Sequence, residues 1–244
     1  MRLDRKRALG LLEDNKYGVM KRIFAREGLS EHLRLVSSIA SLQACGDRRN
    51  LVAILDLAIT DGDDLKVAYE LLLQGYLFCG YPAAIESFFC LEQTLKGKCG
   101  LDLSDISPLI LESSAVLLER GTFTGREVHG DKFERINNKI SALCPDLGYL
   151  MIAEGYGHVL SRKGLGIKTR ELAVVSSLTA SGAHRQLNSH IRGCRNVGCE
   201  DSEIYETIFT CLLWISPERV FESLELWSKI TDEELSESID DYIY

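Results

Sequence analysis

The chain has few of the features that would point away from a soluble helical protein. It contains four prolines in 244 residues and no apolar run close to the roughly 20 residues that a membrane-spanning helix requires. No stretch is strongly basic, and the formal net charge of -8 argues against a nucleic-acid partner. The basic first residues are not followed by the apolar stretch of a signal peptide. We therefore expect a cytoplasmic protein without membrane or nucleic-acid partners.

The cysteines also exclude some chemistry. All eight are dispersed, with no C-x-x-C pair and no spacing typical of a metal site. In a cytosolic chain such cysteines act mainly as small core hydrophobes. We expect no metal site.

Apolar residues recur at helical spacing through most of the chain. In one stretch they follow the i, i+3, i+4, i+7, i+8 pattern of a single helix face, at Tyr205, Ile208, Phe209, Leu212 and Leu213. No pair of alternating runs surrounds a hairpin turn. The sequence therefore predicts an all-α fold with strands absent or trivial.

Short segments repeat in the same order, about 135 to 139 residues apart. The matching ranges are 35–39 with 174–178, 68–72 with 204–208, and 82–88 with 217–224. This predicts two copies of one helical unit. The organisation we expect is a degenerate first repeat in 1–95, linker helices in 96–168, a second repeat carrying the candidate site in 169–230, and an acidic tail in 231–244.

A series of motifs runs through and just before the second repeat. They are EGYGHVLSRKGL at 154–165, KTREL at 168–172, QLNSHIRG at 186–193 and NVG at 196–198. In this order and spacing they resemble the carboxymuconolactone decarboxylase family over about 148–230. The resemblance implies a duplicated helical bundle of the carboxymuconolactone decarboxylase or alkylhydroperoxidase D-like type. It also implies a homo-oligomer, either a trimer or a dimer, as does an apolar second half that includes Trp214, Ile215, Phe221 and Trp227.

The same resemblance implies where the site lies. Glu171 and His190 match the acid and the histidine of the family. The related peroxidases carry a C-x-x-C pair just before this histidine, but the two positions here hold Ala183 and Gln186. Because a dithiol needs two nearby sulfurs, peroxidase chemistry by that route is excluded at this site.

The first copy lacks the pair. Its matching positions are expected to hold His32 and Ile54, surrounded by apolar side chains. We therefore predict that the first copy is structural.

Decarboxylation of a carboxymuconolactone needs no cofactor, because the unsaturated lactone carbonyl already accepts the electrons. A histidine suits the proton transfer, worth about 10²–10⁴-fold in rate, and a carboxylate can fix its tautomer. The catalytic residues implied are Glu171 and His190. An arginine can hold the acid groups of a small carboxylic acid or lactone. The substrate-binding candidates are Tyr156, Arg162, Arg170 and Arg192.

Structural alternatives stand beside each of these roles. A lone helical histidine such as His190 often only stabilises the fold, and an acid such as Glu171 near a helix start is favoured by the helix dipole. Arg170 can serve an ion pair at a surface or interface. Cys194, one turn after His190, can pack or be a lone reactive thiol. The alternative function is a non-catalytic or thiol-based oligomeric protein that keeps the fold. An enzyme predicts a polar pocket around His190 with an arginine facing in, and contact between His190 and Glu171.

Overall fold

The computed structural model describes residues 14–106 and 112–235. Throughout these ranges the chain is helical and contains no strand, which confirms the predicted all-α fold there. Most of the predicted acidic tail lies outside the described residues. The helices are α1 (Asp14–Phe24), α2 (Glu31–Cys45), α3 (Arg48–Ala58), α4 (Gly62–Leu95), α5 (Ser114–His129), α6 (Phe133–Leu143), α7 (Pro145–Leu150), a π-helix (Met151–Leu160), α8 (Ile167–Ser181), α9 (His184–Asn196), α10 (Asp201–Thr210) and α11 (Pro217–Thr231). Short 3₁₀ turns lie at Leu103–Asp105, Gly130–Lys132 and Cys211–Leu213.

Two tight helical hairpins form the centre of the molecule. Helix α2 ends at Gly46 (φ 75°) and helix α8 ends at Gly182 (φ 70°). Both glycines adopt the left-handed conformation that ends a helix and turns the chain sharply. Helices α3 and α9 therefore follow after very short turns. The hairpins pack through α2 and α8, where the hydroxyls of Ser37 and Ser176 lie 2.8 Å apart.

The two predicted repeats bury their apolar residues in one shared core. Side chains of both ranges, 1–95 and 169–230, belong to the same buried cluster, including Leu42, Ile54, Val174 and Phe209. Both ranges therefore depend on each other for burial, unlike two domains with separate cores.

A buried ion cluster joins the linker and second repeat to α4. Glu70 lies 2.6 Å from Arg162 and 2.7 Å from Arg170. Arg170, which is fully buried, also donates from Nη1 to Gln74 Oε1 at 3.0 Å. Each guanidinium is thus held by a side chain of the first half.

A second ion cluster has the same arrangement, but its glutamate lies in the second half of the chain and its arginines lie in the first half. Glu206 on α10 lies 2.5 Å from Arg26 and 2.9 Å from Arg34. Arg34 is fully buried, and its Nη1 donates to Thr210 Oγ1 at 3.1 Å. The members of the two clusters differ by a constant 136 positions, at 26 and 162, 34 and 170, 70 and 206, and 74 and 210.

This constant spacing changes two of the sequence-based assignments. It pairs His190 with Ile54 as expected, but it pairs Glu171 with Leu35, so Leu35 replaces His32 as the matching residue. It also extends the repeated pattern upstream of 169 to include Arg162, which the predicted boundaries placed in the linker. At this spacing the first half holds two apolar residues, Leu35 and Ile54, at the positions that correspond to Glu171 and His190.

Close packing in the linker brings further residues towards α8 and α9. Helix α5 lies against the π-helix, and glycines on both sides permit the contact. A Cβ atom at Gly121 would overlap the carbonyl oxygen of Ile152, and one at Gly157 would overlap that of Leu117. This packing aligns the end of α5 with the middle of the π-helix. In the described part of the chain, no helix combines the length and apolarity needed to cross a bilayer.

Candidate functional site

The predicted acid and histidine meet across the α8–α9 hairpin. His190 Nδ1 lies 2.8 Å from Glu171 Oε2, which confirms the predicted contact. Glu171 is fully buried near the start of α8, and His190 in the middle of α9 keeps 7% of its surface exposed. Gly193 leaves room for the carboxylate, because a Cβ atom there would lie 2.8 Å from Glu171 Oε2. The short turn at Gly182 and this small residue together allow the pair to form.

The contact orients the imidazole of His190. A carboxylate oxygen accepts the Nδ1 proton, which leaves Nε2 as the acceptor of the neutral ring. Nε2 has no hydrogen-bond partner among the described residues. It is also not a fully buried atom, so it remains accessible. The other carboxylate oxygen, Glu171 Oε1, is buried and unpartnered.

Aromatic and imidazole rings surround His190. The ring of Phe78 on α4 lies 5.8 Å from the His190 ring, and that of His129 lies 5.5 Å from it, measured between centroids. His129 Nε2 in turn lies 2.5 Å from the hydroxyl oxygen of Tyr156. His129 and Tyr156 are 8% and 5% exposed. The site is therefore a nearly closed group of four rings and one carboxylate.

Burial keeps the two linker residues uncharged. It lowers the pKa of His129 to about 3, and the charge of His190 acts in the same direction. Burial, followed by the negative charge of Glu171, raises the pKa of Tyr156 above its ordinary value. Near neutral pH His190 therefore faces a neutral imidazole and a protonated phenol.

Comparison with known proteins matches this part of the chain. The model of the carboxymuconolactone decarboxylase family matches residues 145–218. The 4-carboxymuconolactone decarboxylase of Acinetobacter baylyi is 31% identical over 97 residues, covering 39% of this chain and 72% of that protein. The chain belongs to the carboxymuconolactone decarboxylase family. Peroxisomal protein 2 of Saccharomyces cerevisiae is also similar, at 25% identity over 100 residues, which cover 41% of this chain and 35% of that protein.

The matched family region contains only part of the site. It includes Tyr156, Glu171 and His190, whereas Phe78 and His129 lie before it. Sequence reasoning selected Tyr156 as a substrate-binding candidate but did not include His129 among these candidates, since no motif surrounds it. Only the packing of α5 along the π-helix places His129 beside His190.

The arginines predicted to bind the substrate lie elsewhere. Arg162 and Arg170 both pair with Glu70, and Arg170 also binds the carbonyl oxygens of Leu165 and Arg162. Their role in the structure is that of a buried ion cluster, which corrects the substrate-binding prediction. Arg192 donates to Asn188 Oδ1 at 3.4 Å, and a residue two positions after His190 does not share its helix face. None of the three has a described contact with His190.

The thiol near the family site is not activated. Cys194 is fully buried one turn after His190. Burial raises its pKa well above the ordinary value, and a hydrogen bond with Cys199 adds to the effect. Such a thiol is inert rather than nucleophilic, so Cys194 packs in the core.

A second carboxylate–imidazole pair provides an internal comparison. On the π-helix, His158 Nδ1 lies 3.4 Å from Glu154 Oε2, and the hydroxyl of Tyr76 donates to Glu154 Oε1. The Glu154 side chain is 38% exposed, in contrast to the buried Glu171. This pair has the same two chemical groups as the candidate site, but its carboxylate is more exposed and its imidazole Nε2 is buried.

Proposed function

We propose that this family member performs cofactor-free decarboxylation, or closely related acid/base chemistry, on a small carboxylated lactone. The observation that carries the proposal is His190, whose Nδ1 is held by a buried carboxylate while Nε2 stays accessible. The similarity to a 4-carboxymuconolactone decarboxylase supports the substrate class. The lactone carbonyl is linked through the ring double bond to the carbon that loses the carboxylate and provides the electron sink, so the reaction is written without a cofactor.

In the proposed reaction the bond between the ring carbon and the carboxylate breaks, and carbon dioxide leaves. Its bonding electrons pass into the unsaturated lactone and form an extended enolate. Protonated His190 then donates its Nε2 proton to a carbon atom of the enolate. Solvent afterwards returns a proton to the imidazole of His190. Glu171 stabilises the imidazolium and keeps Nδ1 protonated throughout.

The alternative is a non-catalytic protein that keeps the family fold. This alternative is favoured by the arginines, because two of the three arginines predicted to bind the substrate, Arg162 and Arg170, stabilise the fold through Glu70. In that case His190 and Glu171 would contribute only a buried hydrogen bond.

A ligand-stabilisation screen distinguishes the two. Wild-type protein and a His190→Asn variant are melted with 4-carboxymuconolactone, muconolactone and a simple dicarboxylic acid at millimolar concentrations. Because a ligand at 100 times its Kd adds about 2.7 kcal/mol of stability, binding raises the Tm by several degrees. The enzyme predicts a rise with the lactones that is reduced in the variant. No rise with any lactone supports the non-catalytic alternative.

We also propose that the chain forms a homo-oligomer, a dimer or a trimer. The predicted reason needs correction, because Trp214 and Trp227 are buried within their own chain. Support comes instead from an apolar face on α4, where Tyr81, Ile85 and Phe89 are spaced by four residues and are 64%, 53% and 60% exposed. Light scattering at the monomer mass of 27.3 kDa over a wide concentration range would contradict the proposal.

A cytoplasmic location is proposed as well. All eight cysteines are free thiols. Cys194 and Cys199 lie close enough to share a hydrogen bond but do not form a disulfide. Free thiols are typical of a reducing compartment. Fractionation of cells that express the tagged chain tests this location.

A further inference from the structure

The linker places a second hydrogen-bonded pair beside His190 that the reaction above does not use. His129 is the last residue of α5, and its Nε2 atom lies 2.5 Å from the hydroxyl oxygen of Tyr156 on the π-helix. The His129 ring meets the His190 ring edge to face, with an interplanar angle of 67°. Both linker residues are nearly buried, and burying polar groups is costly unless they are bonded or used.

The free nitrogens of the two imidazoles are accessible. His129 Nδ1 and His190 Nε2 have no hydrogen-bond partner among the described residues. Both atoms are also not fully buried. They belong to rings whose centroids are 5.5 Å apart. The two rings are close enough for one small molecule to contact both, and the Tyr156 hydroxyl is hydrogen-bonded to His129.

We propose that Tyr156 is a further catalytic residue, which donates a hydrogen bond to the lactone carbonyl oxygen as negative charge develops there, and that His129 positions its phenol. This inference rests on the proposed function. His129 Nε2–H donates to the phenol oxygen, and the phenol O–H donates to the substrate. No proton is transferred in this contact, so the carbon is still protonated by His190.

The electrostatics of the pair agree with this role. A donor to a developing enolate must stay protonated, and burial raises the pKa of Tyr156. A positioning imidazole must keep a fixed donor and acceptor, and burial lowers the pKa of His129 to about 3. A preorganised donor in a site with little water is worth far more than the same donor in solution.

The kinetic test uses Tyr156→Phe, His129→Leu and His129→Gln with 4-carboxymuconolactone. Loss of one preorganised donor is expected to lower kcat about 10²–10³-fold with KM changed only a few-fold. His129→Leu should lower kcat about tenfold, and His129→Gln should recover most of it, because the amide N–H can donate to the phenol. Tyr149→Phe, on exposed Tyr149 of α7, is the matched control and should keep full activity. A Tyr156→Phe enzyme with kcat within threefold of wild type, or no difference between the two His129 variants, would overturn the proposal.

A binding measurement keeps the test independent of turnover. If the wild type does not release carbon dioxide, the proposed function fails, and NMR spectra of protein with labelled histidine and tyrosine then decide this inference. Muconolactone at 10 mM is expected to shift the signals of Tyr156, His129 and His190 but not that of Tyr149. A shift confined to His190, or no shift at any of the three, overturns the proposal, as does a melting curve that shows the unliganded wild type to be unfolded.

Discussion

His190 and Glu171 are joined by a 2.8 Å contact between Nδ1 and Oε2, although the carboxylate is fully buried and its Oε1 has no partner. A buried carboxylate with an unpartnered oxygen is expensive for stability alone. Its retention next to an accessible imidazole nitrogen is what an acid/base site requires. The contact therefore supports a chemical role for the pair.

Replacing Glu171 with glutamine should separate geometry from charge. The amide oxygen can still accept from His190 Nδ1, but it cannot stabilise the imidazolium. We expect a 10- to 100-fold loss of kcat, by analogy with the loss that follows when the carboxylate partner of a metal-bound histidine is removed. Kinetics and melting curves of Glu171→Gln check this. The matched control is Glu154→Gln at the half-buried Glu154–His158 pair, and equal losses in both variants would contradict the assignment.

The Gly193→Ala substitution should disturb the contact between Glu171 and His190, because Gly193 lies next to the Glu171 carboxylate. The added Cβ would lie 2.8 Å from Glu171 Oε2 and 2.8 Å from Val128 Cγ1. Because both neighbours are buried, we expect about 1–3 kcal/mol of destabilisation together with reduced activity. Gly18→Ala in α1 is the control, since nothing lies within 4 Å of its added Cβ. A Gly193→Ala protein as stable and active as wild type would show that the space around Glu171 is not tight.

Glu70→Gln should destabilise the fold strongly. It removes the charge that neutralises Arg162 and the fully buried Arg170. Breaking a buried ion pair by removing one partner costs about 3–5 kcal/mol. Asp63→Asn, at the exposed Asp63–Lys66 pair, should leave the free energy of unfolding nearly unchanged. Urea denaturation measures both variants, and a loss below about 1 kcal/mol in Glu70→Gln would contradict the role of the cluster.

The same cluster predicts an acid-dependent difference. Burial opposes ionisation of Glu70, but the hydrogen bonds and charges of Arg162 and Arg170 hold its pKa below the ordinary 4.5. A carboxyl with a lowered folded-state pKa contributes stability above pH 4.5 and loses it as the pH falls through the lower value. The stability advantage of wild type over Glu70→Gln should therefore shrink below pH 4.5.

His129 predicts a pH dependence in a different range. Its pKa is 6.5 in the unfolded reference and about 3 in the folded protein. As the pH falls from 7 to 5 the unfolded chain binds a proton that the folded chain does not, so folding loses about 2 kcal/mol. Urea denaturation at both pH values should show this additional loss in wild type but not in His129→Gln. The same pH dependence in both proteins would mean that His129 titrates normally.

The helices could be predicted from local sequence signals, whereas the acid–histidine pair was predicted from the family resemblance. Gly182 follows a helical period and turns the chain into a hairpin, but a hairpin alone does not place Glu171 beside His190. The partner of Arg170 could not be predicted in this way. Glu70 is 100 positions away, and no local pattern indicates that the two halves exchange their charged side chains.

Register and the third helix of the site were also beyond local reasoning. Short matching strings left the offset between the halves uncertain by several residues. The ion clusters indicate an offset of 136, at which Leu35 rather than His32 matches Glu171. His129 belongs to a helix without a recognisable motif. Its approach to His190 depends on the close contact that Gly121 and Gly157 permit.

The most direct test of the account is release of carbon dioxide from carboxyl-labelled 4-carboxymuconolactone by three purified proteins. They are wild type, His190→Asn and His158→Asn, the last of which alters the half-buried Glu154–His158 pair on the π-helix. We predict release by wild type and by His158→Asn at similar rates, and a loss of at least about 10²-fold in His190→Asn with an unchanged Tm. Equal release by wild type and His190→Asn, or none by correctly folded wild type that binds no lactone, would contradict the assignment of His190 as the acid/base residue.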